Sequence, residues 1–277
     1  MLKKLLYCTD PSLNYDLLSQ YSLVFQLGDQ FLGCILFQPA DKTVAYLSFQ
    51  EIAGSKLTGE DVIAFLHENS WLKEPFQQVA AVSYSTRQML VPVELFDAAD
   101  PSFFADLQFG LRNQELILTN ETAGIEAVSL LSVPQDIYTV LNERFENIQW
   151  SHWHEHIVSA VAGEQARITL SFFLNTFSLA IEKNGNWQLV QTYKYNTPED
   201  VLYFVLQSFK QYDIDASLCQ VQVDGLVNQD SAMIQLLYQY IPHLEWAQQL
   251  QFEYPPTADP TPVHTFALTD RILTCVS

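Results

Sequence analysis

Three histidines and a glutamate, His152, His154, His156 and Glu155, form the densest group of metal-capable side chains in the chain. On a strand the three imidazoles would share one face. On a helix only His152 and His156 would align, one turn apart. Ser151 before the group and Gly163 after it read as the cap and the stop of a helix. A structural zinc site needs about four ligands, and no cysteine cluster or second histidine cluster supplies the rest. The group therefore reads as a solvated helix face, and no metal is expected. Glu60-Asp61 sits at a helix start and reads as a cap. Neither a Gly-x-Ser-x-Gly elbow nor a P-loop is present. Gly28-Asp29 and Asp224-Gly225 remain, and such pairs are first of all turn formers.

The elements that must position these residues follow from periodicity. Residues 1–20 read as a leader that packs loosely or adds a sheet edge. Leu23, Phe25 and Leu27 alternate, Gly28-Asp29 turns, and Phe31 to Phe37 is apolar on both faces, as in a strand buried by layers on either side. Val44 to Phe49 completes a three-stranded meander. Thr58 caps a helix whose buried stripe is Val62, Ile63, Phe65 and Leu66, and Val79 to Tyr84 returns as a strand. Met89 to Pro92, Leu116 to Thr119, Ala127 to Leu131 and Asn147 to Trp150 are strands, and Pro101 to Leu107 is a short helix. Ser132 to Gln135 reads as a capping box for a helix running to about Phe145. From Ala166 a second meander appears, with Asn175-Thr176 at its first turn and Asn184-Gly185, a type I′ signal, at its second. Thr197-Pro198 opens a helix, Leu218 to Val223 is a strand, Ser231 to Tyr240 a helix, and His264 to Leu268 a final strand after a proline-rich loop.

Thr58 to Tyr84 and Thr197 to Val223 thus carry the same plan, at an offset of 139 residues that sets Val82 against Val221. Such self-similarity indicates internal duplication, with domains at 1–163 and 164–277.

The chain has 277 residues, 48% hydrophobic and 16% charged, enough for two ordinary domains with their own cores. The net charge of −19 opposes binding to nucleic acid and to anionic membranes. Cys8, Cys34, Cys219 and Cys275 form no C-x-x-C, and Met1 to Leu6 is too short for a signal-peptide core, which together suit the cytoplasm.

Two tandem copies of meander, helix, strand, helix and strand resemble the actin-like ATPase fold, an α/β arrangement of two ribonuclease H-like domains with mixed sheets flanked by helices. The Leu90-Val91-Pro92 to Leu95-Phe96 segment, the chain length and the place of the duplication also resemble an uncharacterised bacterial family that carries this fold. The resemblance covers nearly the whole chain and implies no established activity. Active members of the superfamily hold ATP and magnesium in a cleft, using an Asp-x-Gly motif at the first hairpin of each half. The matching positions here are Gly28 and Asp29, in reversed order, and Asn175 and Thr176, with neither residue type. The adenosine segment is matched by Asp224 and Gly225, with one glycine where the superfamily has two. These six residues are the nucleotide-site candidates. Their degeneracy implies no catalytic residues, no cofactor, and a scaffold that binds another protein. The competing expectation is an ATPase or kinase with unorthodox loops.

Overall fold

The alternating strands and capped helices appear in a computed structural model that describes residues 2–52, 56–110, 114–122, 124–158, 167–257 and 260–276. The chain forms two compact units. One is Met1–Glu155 with Gln251–Pro260 and Leu273–Ser277, and the other is His156–Leu250 with Thr261–Ile272. The boundary expected after residue 163 lies outside the described residues, as do Gly163 and Ala166.

In the first unit, β1 (Leu2–Thr9), β2 (Ser22–Gly28), β3 (Phe31–Gln38), β4 (Thr43–Ile52), β5 (Gln78–Ser83) and β9 (Gln149–His152) form a mixed sheet in the order β1-β4-β3-β2-β5-β9. The leader takes the edge position as β1. β2, β3 and β4 are the antiparallel meander, while β5 and β9 run parallel to β2 and so need helical crossovers. These are α1 (Gly59–Glu68) and α3 (Gln135–Arg144), whose Val62, Phe65, Ile137 and Leu141 pack with Leu23, Phe25 and Leu27 in one core. Ile63 is not part of that core; it is 42% exposed, on the outer side of α1.

Between β5 and α3 the chain builds a smaller antiparallel sheet from β6 (Gln88–Pro92), β7 (Glu115–Glu121) and β8 (Ala127–Pro134), in the order β6-β8-β7, with α2 (Ser102–Phe109) beside it. Ser132 does not cap α3. β8 continues through it to Pro134, and its hydroxyl donates to Glu115 instead.

In the second unit, β10 (Arg167–Phe173), β11 (Thr176–Lys183), β12 (Asn186–Lys194), β13 (Val221–Gly225) and β14 (Leu244–Trp246) form a sheet in the order β12-β11-β10-β13-β14. Asn184 and Gly185 turn the β11–β12 hairpin, both with positive φ (54° and 75°). The crossovers α5 (Pro198–Gln211) and α6 (Ala232–Tyr240) place Val201, Val205, Ile234 and Leu237 against Leu170, Phe172 and Val223. β13 starts three residues later than its apolar run suggests, because the Leu218 and Cys219 N–H groups turn back to the Asp215 carbonyl. His264 to Leu268 is not a strand. A 3-10 turn at Val263–Thr265 leads into α7 (Ala267–Cys275), in which Leu268 and Ile272 are buried at helical spacing. After β9 comes α4 (Trp153–Val158).

The registers refine the offset between the halves. Val79 lies opposite Leu23 four residues before the last β2–β5 pair, Leu27 with Ser83. Val221 lies opposite Ile168 four residues before the last β10–β13 pair, Phe172 with Gly225. Val221 therefore answers Val79, and Asp224 answers Val82.

Thr58 and Thr197 each close a full capping box. Their side chains accept from the N–H of Asp61 and Asp200 at 3.3 Å, and those carboxylates accept from the threonine N–H groups at 3.0 and 2.9 Å. Thr58→Ala or Thr197→Ala is expected to lower stability by about 1 kcal/mol each, read as a lower urea midpoint with unchanged slope.

Candidate functional site

Parallel strands end on one edge of a sheet, and the loops beyond their carboxyl ends are where α/β folds place ligands. In the first unit these ends belong to β2 and β5. Gly28 there has no positive φ; a Cβ would meet the Phe31 ring at 2.0 Å, so the glycine is held by packing. Asp29 follows at the turn, its carbonyl accepting from the Leu57 N–H at 2.6 Å. Beside them lies a cavity of about 30 Å³, lined by Gly28, Asp29, Lys56, Ser83, Arg87 and Glu115 among others.

The charge around this cavity is already balanced. The Arg87 Nε and Nη2 atoms each lie 2.9 Å from Glu115 Oε2, and Arg87 Nη1 donates to the Phe109 carbonyl at 2.8 Å. The Ser132 hydroxyl donates to the same Glu115 oxygen at 2.5 Å, and Lys56 stands 3.9 Å from the other. Burial alone would raise the Glu115 carboxyl. The Ser132 hydroxyl, Arg87 and Lys56 together outweigh it and hold the group below its ordinary value. Glu115 ties the small sheet to the loop after β5.

In the second unit Leu174 and Asn175 form the tip of the β10–β11 hairpin, and Thr176 starts β11 rather than sharing the turn. Leu174 carries a φ of 51°, in the region where a side chain is strained. The tip is held by Tyr195, whose hydroxyl donates to the Leu174 carbonyl at 2.6 Å and whose N–H donates to the Asn175 carbonyl at 3.0 Å. The Thr176 hydroxyl donates to the Phe173 carbonyl at 2.9 Å. Gly225, at the end of β13, does need to be glycine. Its φ is 92°, and a Cβ would lie 2.1 Å from the Phe172 carbonyl oxygen. Asp224 before it is fully buried and forms an ion pair with Arg271 of α7.

Of the six candidates, Gly28 and Asp29 line a cavity in the first unit, while Asn175, Thr176, Asp224 and Gly225 belong to the second. The sequence reading missed Arg87, Glu115 and Arg271. One signal was available: Arg271 is the only Lys or Arg after Lys210, and Arg87 the only one between Lys73 and Arg112. A lone cation in an apolar setting needs a partner.

The histidines are not a solvated helix face. His152 ends β9, α4 starts at Trp153, and His152, His154 and His156 are all buried. His152 takes the capping place assigned to Ser151. Its Nδ1 accepts from the His154 N–H at 3.3 Å, and the Glu155 carboxylate accepts from the His152 N–H at 2.9 Å. His152 Nε2 donates to the Ser85 carbonyl at 2.8 Å, and His154 Nδ1 donates to Gln88 Oε1 at 2.7 Å. Burial, and for His154 also the neighbouring His152, pushes the His154 imidazole well below its usual value; burial alone brings His156 down to about 4. Among the described residues no three His, Cys, Asp or Glu side chains group together as a metal site.

The fold matches solved structures. A Bacteroides thetaiotaomicron VPI-5482 protein, described as having an actin-like ATPase fold and unknown function, aligns with a TM-score of 0.80 at 16% identity, covering 95% of this chain and 99% of its own. A chain of the PilM-PilN type IV pilus biogenesis complex aligns with a TM-score of 0.55 at 12% identity, covering 92% and 98%. The chain therefore has the actin-like ATPase fold. No curated protein matches it in sequence. Residues 10–244 match the family model described as protein of unknown function (DUF3822), and the chain belongs to that family.

Proposed function

We propose that this protein is a pseudo-ATPase: a non-catalytic member of the actin-like superfamily, built from two duplicated ribonuclease H-like halves, that works in the cytoplasm by binding another protein. The observation that carries this reading is the internal neutralisation of the charged groups near the candidate residues. Asp224 is buried against Arg271, and Arg87 is bound to Glu115. Catalysis of phosphoryl transfer depends on charges aimed at the transferred group, and the loss of one such donor costs roughly 10²–10³ in rate. Charges already committed to each other offer little to a nucleotide. The duplication reading is supported by the paired capping boxes and by the order β4-β3-β2-β5-β9, which matches β12-β11-β10-β13-β14 once the extra edge strand β1 of the first sheet is set aside. A neighbour of the same fold is described in a protein–protein complex, which is consistent with a binding role. The net charge of −19 keeps nucleic acid and anionic membranes from the list of partners.

The second reading, an ATPase or kinase using ATP and magnesium, draws on the place of Asp224 and Gly225 at the carboxyl end of the parallel strand β13, where α/β folds place ligands. Magnesium-dependent phosphate release from ATP separates the two. The expected result is release no faster than buffer. Turnover above background, abolished by Asp29→Ala, would make the protein an enzyme.

A further inference from the structure

We propose that the outer face of α2 and the preceding turn is a docking surface for a basic amphipathic helix of a partner protein. This deepens the scaffold reading and rests on it. The small sheet has a slight core, Val91, Val128 and Leu130, with Met89, Phe96, Phe104 and Ile117 packed around it. Phe96 and Phe104 cover that core from the two flanking segments, and their neighbours turn outward. Phe103 and Leu107, one helical turn apart on α2, are 56% and 77% exposed; Val93 and Leu95 are 53% and 64% exposed. A small core has no means of covering four large apolar side chains. Left in water, these side chains forgo the stabilisation that burial against a partner would bring.

Charge selects the occupant. Glu94, Asp97, Asp100 and Asp106 are exposed among these apolar residues, and no Lys or Arg lies between Arg87 and Arg112. Asp106, three residues after Phe103 on α2, flanks the stripe that Phe103 and Leu107 form. Asp97 and Asp100 accept local hydrogen bonds from the Ala99 N–H and the Ser102 hydroxyl, both at 2.9 Å, and are fixed at the rim by them. An apolar ridge with an acidic rim is complementary to a helix with an apolar stripe flanked by Lys or Arg. Helix-on-helix packing suits a ridge that is itself helical. An anionic bilayer is repelled by the same rim.

The probe is a fluorescein-labelled helical peptide with leucine on one face and lysine on the other, measured by anisotropy beside a scrambled peptide of the same composition. The full chain is expected to bind the helical peptide at least about tenfold more tightly than the scrambled one. Phe103→Ser with Leu107→Ser, or Leu107→Lys alone, should weaken it about tenfold or more. Asp100→Asn with Asp106→Asn should weaken it and flatten its salt dependence. All of these side chains are exposed, and far-ultraviolet circular dichroism checks that the variants fold. Equal binding of both peptides, or binding unaffected by the Phe103 and Leu107 changes, overturns the proposal. So does self-association of the chain abolished by those changes, which would make a second copy the occupant, or variant-sensitive binding to phosphatidylcholine vesicles without peptide binding. Phosphate release from ATP retires the scaffold reading whatever the peptide does; failure of the peptide without phosphate release retires only this face.

Discussion

Arg271→Met is expected to lower the stability of the fold by about 3–5 kcal/mol, the range for breaking one side of a buried ion pair. Asp224 has no exposed side-chain surface, and its Oδ1 has no hydrogen-bond partner among the described residues. Its charge is therefore balanced chiefly through Oδ2 by Arg271, whose side chain is 25% exposed. Removing the guanidinium strands a carboxylate in a medium that solvates it poorly. Position adds to the effect, because Asp224 precedes Gly225 at the end of β13, where the backbone is already locked against Phe172. The double change Asp224→Asn with Arg271→Met should recover most of the loss, since replacing both partners removes the unpaired charge. A cycle of both single variants and the double variant, measured by urea unfolding, gives the coupling. A single variant with an unchanged midpoint would show that the carboxylate does not depend on Arg271.

What was legible in the sequence was what local physics fixes. Thr58-x-x-Asp61 and Thr197-x-x-Asp200 needed only four residues to announce a helix start, and both boxes form. Asn184-Gly185 needed two, because few other pairs accept positive φ in succession. Errors came where a local pattern competed with a longer-range one. Ser132 had the sequence of a cap, but its pairing with Ile117 of β7 and its N–H bond to the Arg87 carbonyl kept it in a strand. Ser151 looked like a cap for the same reason, while pairing with β5 carried β9 through to His152. His264 to Leu268 is too short for its period to separate strand from helix. The gapless offset between the halves failed by three residues at the strand, and the second crossover helix is the longer, 14 residues against 10. The ion pairs of the candidate site were the least legible. Arg87 reaches Glu115 across 28 residues and Arg271 reaches Asp224 across 47, so only the fold brings them together.

Acid is expected to unfold this protein earlier than its carboxylates alone would require. The chief cause is the pair of buried imidazoles on α4, with His264, also lowered by burial, acting in the same direction. His156 is held neutral by burial, with its folded value down to about 4 against an ordinary 6.5, and His154 is pushed in the same direction. A depressed imidazole means that the unfolded chain binds more protons than the folded one, so stability falls as pH drops below about 6.5. At pH 5 the unfolded imidazole is almost fully charged and the folded His156 mostly neutral, a loss of about 2 kcal/mol from this residue alone. His154 adds to it. Glu155 acts the other way: burial raises its carboxyl despite the hydrogen bonds it accepts, so its protonation favours the fold as pH falls toward its unfolded value of 4.5. Asp200 and Asp215, whose carboxyls are lowered by hydrogen bonds from Asn196 and Thr197 and from Ser217, lose their contribution only below their unfolded value of 3.8. The window from pH 6.5 to 5 therefore belongs mainly to the histidines. Urea unfolding at pH 7.5, 6.5, 5.5 and 5.0 should give a midpoint that falls through this range. Replacing His156 with the non-titrating Gln should lower stability at pH 7.5 and flatten the fall by about 2 kcal/mol. A wild-type midpoint that is level from pH 7.5 to 5.0 would mean that the imidazoles are not buried neutral in the folded chain.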